Sequence, residues 1–152
     1  MSTQNIKNAL TVNDQLLTGG QPNEDQLKAA AEEGFANVIN LATLNPRYSL
    51  PDEAGLVRSL GMAYFHIPVV WEAPKDSDFD DFERVMKELP AGKTLLHCAA
   101  NFRVTAFYSL YAQKNLGWTD EQAAQFRAQI WKDENDPVWE DFITNTKARL
   151  NL

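Results

Sequence analysis

Helical periodicity and strand-like runs alternate along the first two thirds of the chain. Asp25 to Glu33 carries helix formers with apolar residues at helical spacing, Gly34 suits a left-handed helix end, and Phe35 to Leu41 reads as a strand. The unit recurs as a helix from Pro51 to Leu60, entered through proline and ended at Gly61, followed by a strand from Met62 to Val69. A third copy has a helix over Asp78 to Leu89, Gly92 in the turn, and an apolar strand from Lys93 to His97. After Arg103 only helices are predicted: Val104 to Asn115, Thr119 to Lys132 and Pro137 to Leu150, broken at Gly117 and near Asp136. Thr119 and Gln122 have capping-box spacing.

Strands that alternate with helices predict an α/β fold: a mainly parallel central sheet of about four to five strands flanked by helices, with a helical C-terminal third. In such sheets ligands lie beyond the carboxyl ends of the strands. Three segments emerge there, Ala42 to Leu50, Val70 to Lys75, and Cys98 to Arg103, and one site lined by all three is expected.

Composition narrows the picture. A chain of 152 residues with 44% apolar content predicts one domain over residues 1–152 with a proper core. Its net charge of -7 repels nucleic acid and anionic membranes, so neither is expected as a partner. The longest apolar stretches, such as Ile67 to Trp71, are too short to span a bilayer, and a soluble, cytoplasmic protein is expected. One cysteine excludes an intramolecular disulfide framework. His66 and His97 are the only histidines and have no metal-ligand spacing, so neither metal nor other cofactor is expected.

The chemistry concentrates in His97-Cys98-Ala99-Ala100-Asn101-Phe102-Arg103, where a strand ends in a cysteine and a tight loop leads to an arginine that opens a helix. N–H groups at a helix start lack intrahelical partners and carry the positive end of the helix dipole, so those of Ala99, Ala100, Asn101, Phe102 and Arg103 are candidates to encircle a phosphate. The Arg103 guanidinium adds a planar, bidentate clamp. The same field favours the thiolate of Cys98 and makes it a candidate nucleophile. A lone cysteine is more often inert core; its place between strand and arginine-capped helix reverses that expectation.

His97-Cys98 followed by Arg103 resembles the signature loop of the protein tyrosine and dual-specificity phosphatase superfamily. Thr18-Gly19-Gly20-Gln21-Pro22, Val38-Ile39-Asn40-Leu41 and Tyr64-Phe65-His66-Ile67-Pro68-Val69 are similar to segments of its small bacterial members, the β-lactamase-hydrolase-like phosphatase proteins. The chain departs from the pattern in three ways. Four residues rather than five separate cysteine from arginine, Asn101 stands where glycine is usual, and Val104 takes the place of the hydroxyl residue after the arginine. Asn tolerates positive φ, so the loop is expected to close. Thr105 keeps the usual offset from the cysteine and is a candidate to hydrogen-bond its sulfur.

The resemblance implies a cysteine-phosphatase-like fold and a metal-free, two-step hydrolysis of a phosphorylated protein or small phosphate ester. Cys98 forms a phosphocysteine that water then releases, and His97 orients the cysteine. The family's acid is an aspartate on the loop after the strand that ends at Val69. Val70 occupies that place, which leaves Glu72 and Asp76 as candidate acids. Arg47 is a candidate for a second anionic group and Tyr48 for an aromatic leaving group. Among the four tryptophans, Trp71 alone falls on the expected acid loop; Trp118, Trp131 and Trp139 have the spacing of packing residues. A module that binds phosphate without turnover stays open beside the phosphatase. Sulfur transfer in the manner of rhodanese-like proteins fits less well, because it does not call for Arg103.

Overall fold

The computed structural model describes residues 2–152. Five strands form one sheet in the order β1-β2-β5-β3-β4. They are β1 (Leu10–Asn13), β2 (Leu16–Gly19), β3 (Phe35–Asn40), β4 (Ala63–His66) and β5 (Lys93–His97). β2, β5, β3 and β4 run parallel, and β1 folds back antiparallel on β2. Helices α1 (Glu24–Glu32), α2 (Glu53–Ser59) and α3 (Asp76–Glu88) make the crossovers, and α4 (Phe102–Asn115), α5 (Asp120–Trp131) and α6 (Pro137–Arg149) follow β5. The predicted α/β class, its mainly parallel sheet and its helical last third are all present.

Strand periodicity of two divides the core between the faces of the sheet. Val38 and Leu95 face Leu27 of α1 and Val57 of α2. Ile39 and Leu96 face the other way, onto Phe79 and Phe82 of α3 and Phe107 of α4. Helix α4 is buried on nearly every side, ten of its fourteen residues being buried, so its N-terminus is fixed relative to β5. At the ends of α1 and α2, Gly34 and Gly61 take φ of +90° and +84°, the left-handed exits that the repeated helix–glycine–strand pattern predicts.

Where the elements differ from the sequence reading, a local cause is visible. The hairpin β1–β2 has no apolar-run signal: each strand has four residues, and Thr18 and Gly19 are polar or featureless yet buried because β2 lies between β1 and β5. The Thr18 hydroxyl is satisfied by the Leu10 carbonyl at 2.7 Å. Helix α2 starts at Glu53 instead of Pro51, since the Asp52 side chain accepts from Gly55 N–H and caps it. β4 is shorter than its apolar pattern, although Ile67 and Val69 still donate N–H to the carbonyls of Asn40 and Leu41 at the end of β3.

Candidate active site

β5 delivers Cys98, 1% exposed, to the carboxyl end of the sheet, where its N–H donates to the Gly19 carbonyl at 3.2 Å. The loop that follows owes its shape to what happens to its carbonyls. His97 Nδ1 takes the Cys98 carbonyl at 3.0 Å, Gln21 N–H the Ala99 carbonyl at 2.9 Å, and Asn8 Nδ2 the Ala100 carbonyl at 2.9 Å. Thr105 N–H and hydroxyl take the Asn101 carbonyl, and the Trp131 indole N–H takes that of Phe102 at 3.2 Å. With each carbonyl drawn outward, the peptide dipoles turn their positive ends inward. The N–H groups of Ala99, Ala100, Phe102 and Arg103 have no acceptor among the described residues.

Two residues make that shape sterically available. Asn101 adopts φ +71°, as expected of a residue in glycine's place, and its side-chain amide donates to the Asn8 carbonyl at 2.8 Å and to Thr18 Oγ1 at 3.1 Å. Gly20 lets the chain after β2 pass close over the loop: a Cβ there would lie 2.6 Å from the Ala99 carbonyl oxygen. Gly20 is thus a close-approach requirement, set by packing against a loop about eighty residues later, whereas a Cβ at Gly19 would meet Ile6 of the N-terminal segment.

The loop floors a cavity of about 330 Å³. Its walls are Thr43, Asn45 and Tyr48 from the segment after β3, and Trp71 and Glu72 from the segment after β4. The three predicted segments therefore do converge on one site. Arg103 is buried, its guanidinium donating to the Val69 carbonyl at 2.8 Å and lying 5.9 Å from the Trp71 ring centroid. Arg103 is the one cation and Glu72 the one carboxylate of the lining.

Not every predicted residue arrives. Asp76 starts α3 outside the cavity lining and pairs with Arg149 at 3.5 Å. Thr105 does not bond the sulfur: its hydroxyl donates to the Asn101 carbonyl at 2.8 Å, because α4 begins at Phe102 and places Thr105 where it caps back onto its own first turn. Arg47 is exposed on the segment after β3 and is absent from the lining, whereas Tyr48 is present and donates its hydroxyl to the Thr43 carbonyl at 3.0 Å. Trp131 and Trp139 do more than fill space. Their rings lie 5.8 Å and 5.4 Å from that of Trp71, and the Trp139 indole N–H donates to the Trp71 carbonyl at 2.9 Å. The C-terminal helices thereby brace both site loops.

One residue that pattern reading passed over lies behind the loop. Glu53 of α2 accepts from His97 Nε2 at 2.6 Å and from Gln21 Nε2 at 2.6 Å. Burial pushes its carboxyl up, but the His97 and Gln21 hydrogen bonds outweigh burial and hold it below the usual carboxylate value. Tyr64 of β4 lies beside it, its hydroxyl pushed up to about 12 by burial and by the Glu53 charge. Nothing in the Glu53 stretch of sequence marks it, since its partner is 44 residues away.

No family model matches the chain. A crystal structure of a DUF442 protein from Shewanella putrefaciens CN-32 superposes with a TM-score of 0.87 at 35% identity, covering 96% of this chain and 92% of that one. The chain belongs to the DUF442 family. The catalytic core of the PP-IP phosphatase SIW14 from S. cerevisiae shares the fold, with a TM-score of 0.74 at 10% identity over 96% of this chain and 94% of that one. In sequence the chain is also similar to the β-lactamase hydrolase-like protein of Xylella fastidiosa, 29% identical over 102 residues and 65% of this chain. That match spans 23% of the Xylella protein's length. Among the described residues no helix is long and apolar enough to cross a membrane, and no group of His, Cys, Asp and Glu has the arrangement of a metal site.

Proposed function

We propose that this chain is a cysteine-dependent phosphatase acting on phosphomonoesters, with an aryl phosphate such as phosphotyrosine, or another small phosphate ester, as substrate. The observation that carries the reading is the anchoring of the carbonyls from Cys98 to Phe102 on other groups, which leaves the N–H groups of Ala99, Ala100, Phe102 and Arg103 without acceptors in a loop that lines one cavity together with Cys98 and the Arg103 side chain. Such a cup fits the three equatorial oxygens of a phosphoryl group and strengthens as charge builds on them. Support for a flat leaving group comes from the walls, since Tyr48, Trp71 and Phe102 line the same cavity.

In the first step the Cys98 thiolate attacks phosphorus, the bond from phosphorus to the ester oxygen breaks, and Glu72 in its acid form gives that oxygen a proton. A water then attacks the phosphocysteine, the S–P bond breaks, and the Glu72 carboxylate takes the water's proton. Glu72 is assigned this role over Asp76 because it lines the cavity. A single observation favours the alternative, a module that binds phosphate without turnover: Glu72 is exposed and no described hydrogen bond orients it.

The test is turnover of p-nitrophenyl phosphate by the wild type and by Cys98→Ser and Glu72→Gln, with tungstate binding measured on each. Cys98-dependent turnover supports the enzyme. Tungstate binding with no Cys98-dependent turnover sinks it in favour of the binding module.

A further inference from the structure

We propose that Glu53 is a positioning residue for the phosphate-binding loop, acting through His97: its carboxylate holds the ring at Nε2, with both imidazole nitrogens protonated, so that Nδ1–H stays aimed at the Cys98 carbonyl. The inference rests on the Cys98–Arg103 loop being the anion site.

His97 is fully buried between two oxygens, Glu53 Oε2 at 2.6 Å from Nε2 and the Cys98 carbonyl at 3.0 Å from Nδ1. Both can only accept, the carbonyl by its nature and Glu53 because its carboxyl is held ionised. A neutral imidazole carries one N–H, so one of these contacts would set a bare lone pair against an oxygen in a buried site, a costly arrangement. The ring is therefore an imidazolium whose counter-charge is Glu53, and His97 is the one salt-bridge partner of Glu53 among the described residues.

The remaining contacts fix the carboxylate and not the histidine. Gln21 Nε2 donates to Glu53 Oε1, and Gln21 is also the residue whose N–H holds the Ala99 carbonyl. From β4, Tyr64 bears on the carboxylate at close range and His66 from further off, and Arg58 of α2 lies over the Tyr64 ring. The pair is neutral as a whole, so its effect on the loop is geometric. Without the carboxylate at Nε2 the ring loses its anchor, and the Cys98 carbonyl, its donor no longer held in line, is free to rotate toward the cavity, where it would oppose the oxygens of a bound anion. The carbonyls of Ala100, Asn101 and Phe102 have donors of their own, so the disturbance stays at the cysteine end of the loop.

The experiment compares wild type, Glu53→Gln and Glu53→Ala by ring-nitrogen NMR of His97 and by tungstate affinity at neutral pH. Wild type is expected to show two protonated ring nitrogens. Glu53→Gln, nearly isosteric and able to fold with the same contacts, is expected to show one. Glu53→Ala is expected to bind tungstate about tenfold more weakly, the size of an effect that leaves one buried polar group unpaired, with Glu53→Gln between it and wild type. A bare ring nitrogen in wild type, or two protonated nitrogens in Glu53→Gln, overturns the proposal. So does wild-type tungstate affinity in Glu53→Ala or, where that variant does not fold, in Glu53→Gln. Neither readout needs turnover, so a catalytically silent protein leaves the test intact. A wild type that fails to bind tungstate sinks the reading of the loop as an anion site, while the NMR arm still reports on Glu53.

Discussion

The two loops that meet in the cavity are built to opposite standards. From Cys98 to Phe102 every carbonyl has a named donor, drawn from β5, the segment after β2, the N-terminal segment, α4 and α5. The segment from Val70 to Pro74 has, among the described residues, one internal backbone bond, Ala73 N–H to the Val70 carbonyl at 3.1 Å, and one external tie, the Trp139 indole on the Trp71 carbonyl. Val70 is 41% exposed. On the proposed reading, anion binding is over-determined by the fold, and proton donation rests on a side chain that the fold merely delivers to the cavity wall. Affinity and turnover therefore have separate structural origins here.

Variants can break that division. Cys98→Ser is expected to lower aryl phosphate turnover by about 10³-fold or more while tungstate affinity stays within a few-fold, because the N–H cup survives without the nucleophile. Arg103→Lys keeps the charge and loses the fork. It should cost about 10²- to 10³-fold in kcat/KM and weaken tungstate binding as well, so that one residue of the rigid loop moves both quantities. Glu72→Gln should cost about 10²-fold on an alkyl phosphate, whose leaving oxygen needs a proton, and little on p-nitrophenyl phosphate. An equal loss on both substrates would contradict its assignment as the acid.

Smaller effects sharpen the contrast. Trp139→Phe preserves the ring stack but removes the tie to the Trp71 carbonyl. Denaturant unfolding should register a loss of about 1 kcal/mol, and turnover should fall a few-fold while tungstate affinity holds. Glu53 supplies a pH signature. Its carboxyl is depressed from an ordinary 4.5, so the stability it contributes is present above that value and disappears as pH falls through the folded-state value. The stability gap between wild type and Glu53→Gln should thus be widest near neutral pH and should close in acid, as followed by thermal unfolding across a pH series.

How much of this was legible in the chain depends on how far apart the deciding residues lie. Local signals were enough for the three helix–glycine–strand units and for the strand–Cys98–loop–Arg103 turn, whose partners sit within a few residues of one another. The same holds for Asn101, where a tolerance of positive φ can be judged from residue type alone. The hairpin β1–β2 escaped because its burial comes from β5 alongside and not from its own apolar content. Glu53 escaped because its role depends on His97, and Thr105 misled because its offset from Cys98 says nothing of where the first turn of α4 begins. Of the two candidate acids, only the position of α3 separates Glu72 from Asp76.

The clasp between Asn8 and Asn101 joins residues 93 positions apart, each side chain bonded to the other segment's backbone. Contacts at such separation carry a large loop-closure entropy and tend to form late in folding. The N-terminal segment is in this sense expected to act as a latch that fastens after the sheet has been assembled around β5. A molecule with its sheet complete and that latch open would hold the thiol in place without the finished cup. The appearance of oxyanion affinity during refolding is then a clock for the final closure of the chain, and it should lag behind the burial of the tryptophans.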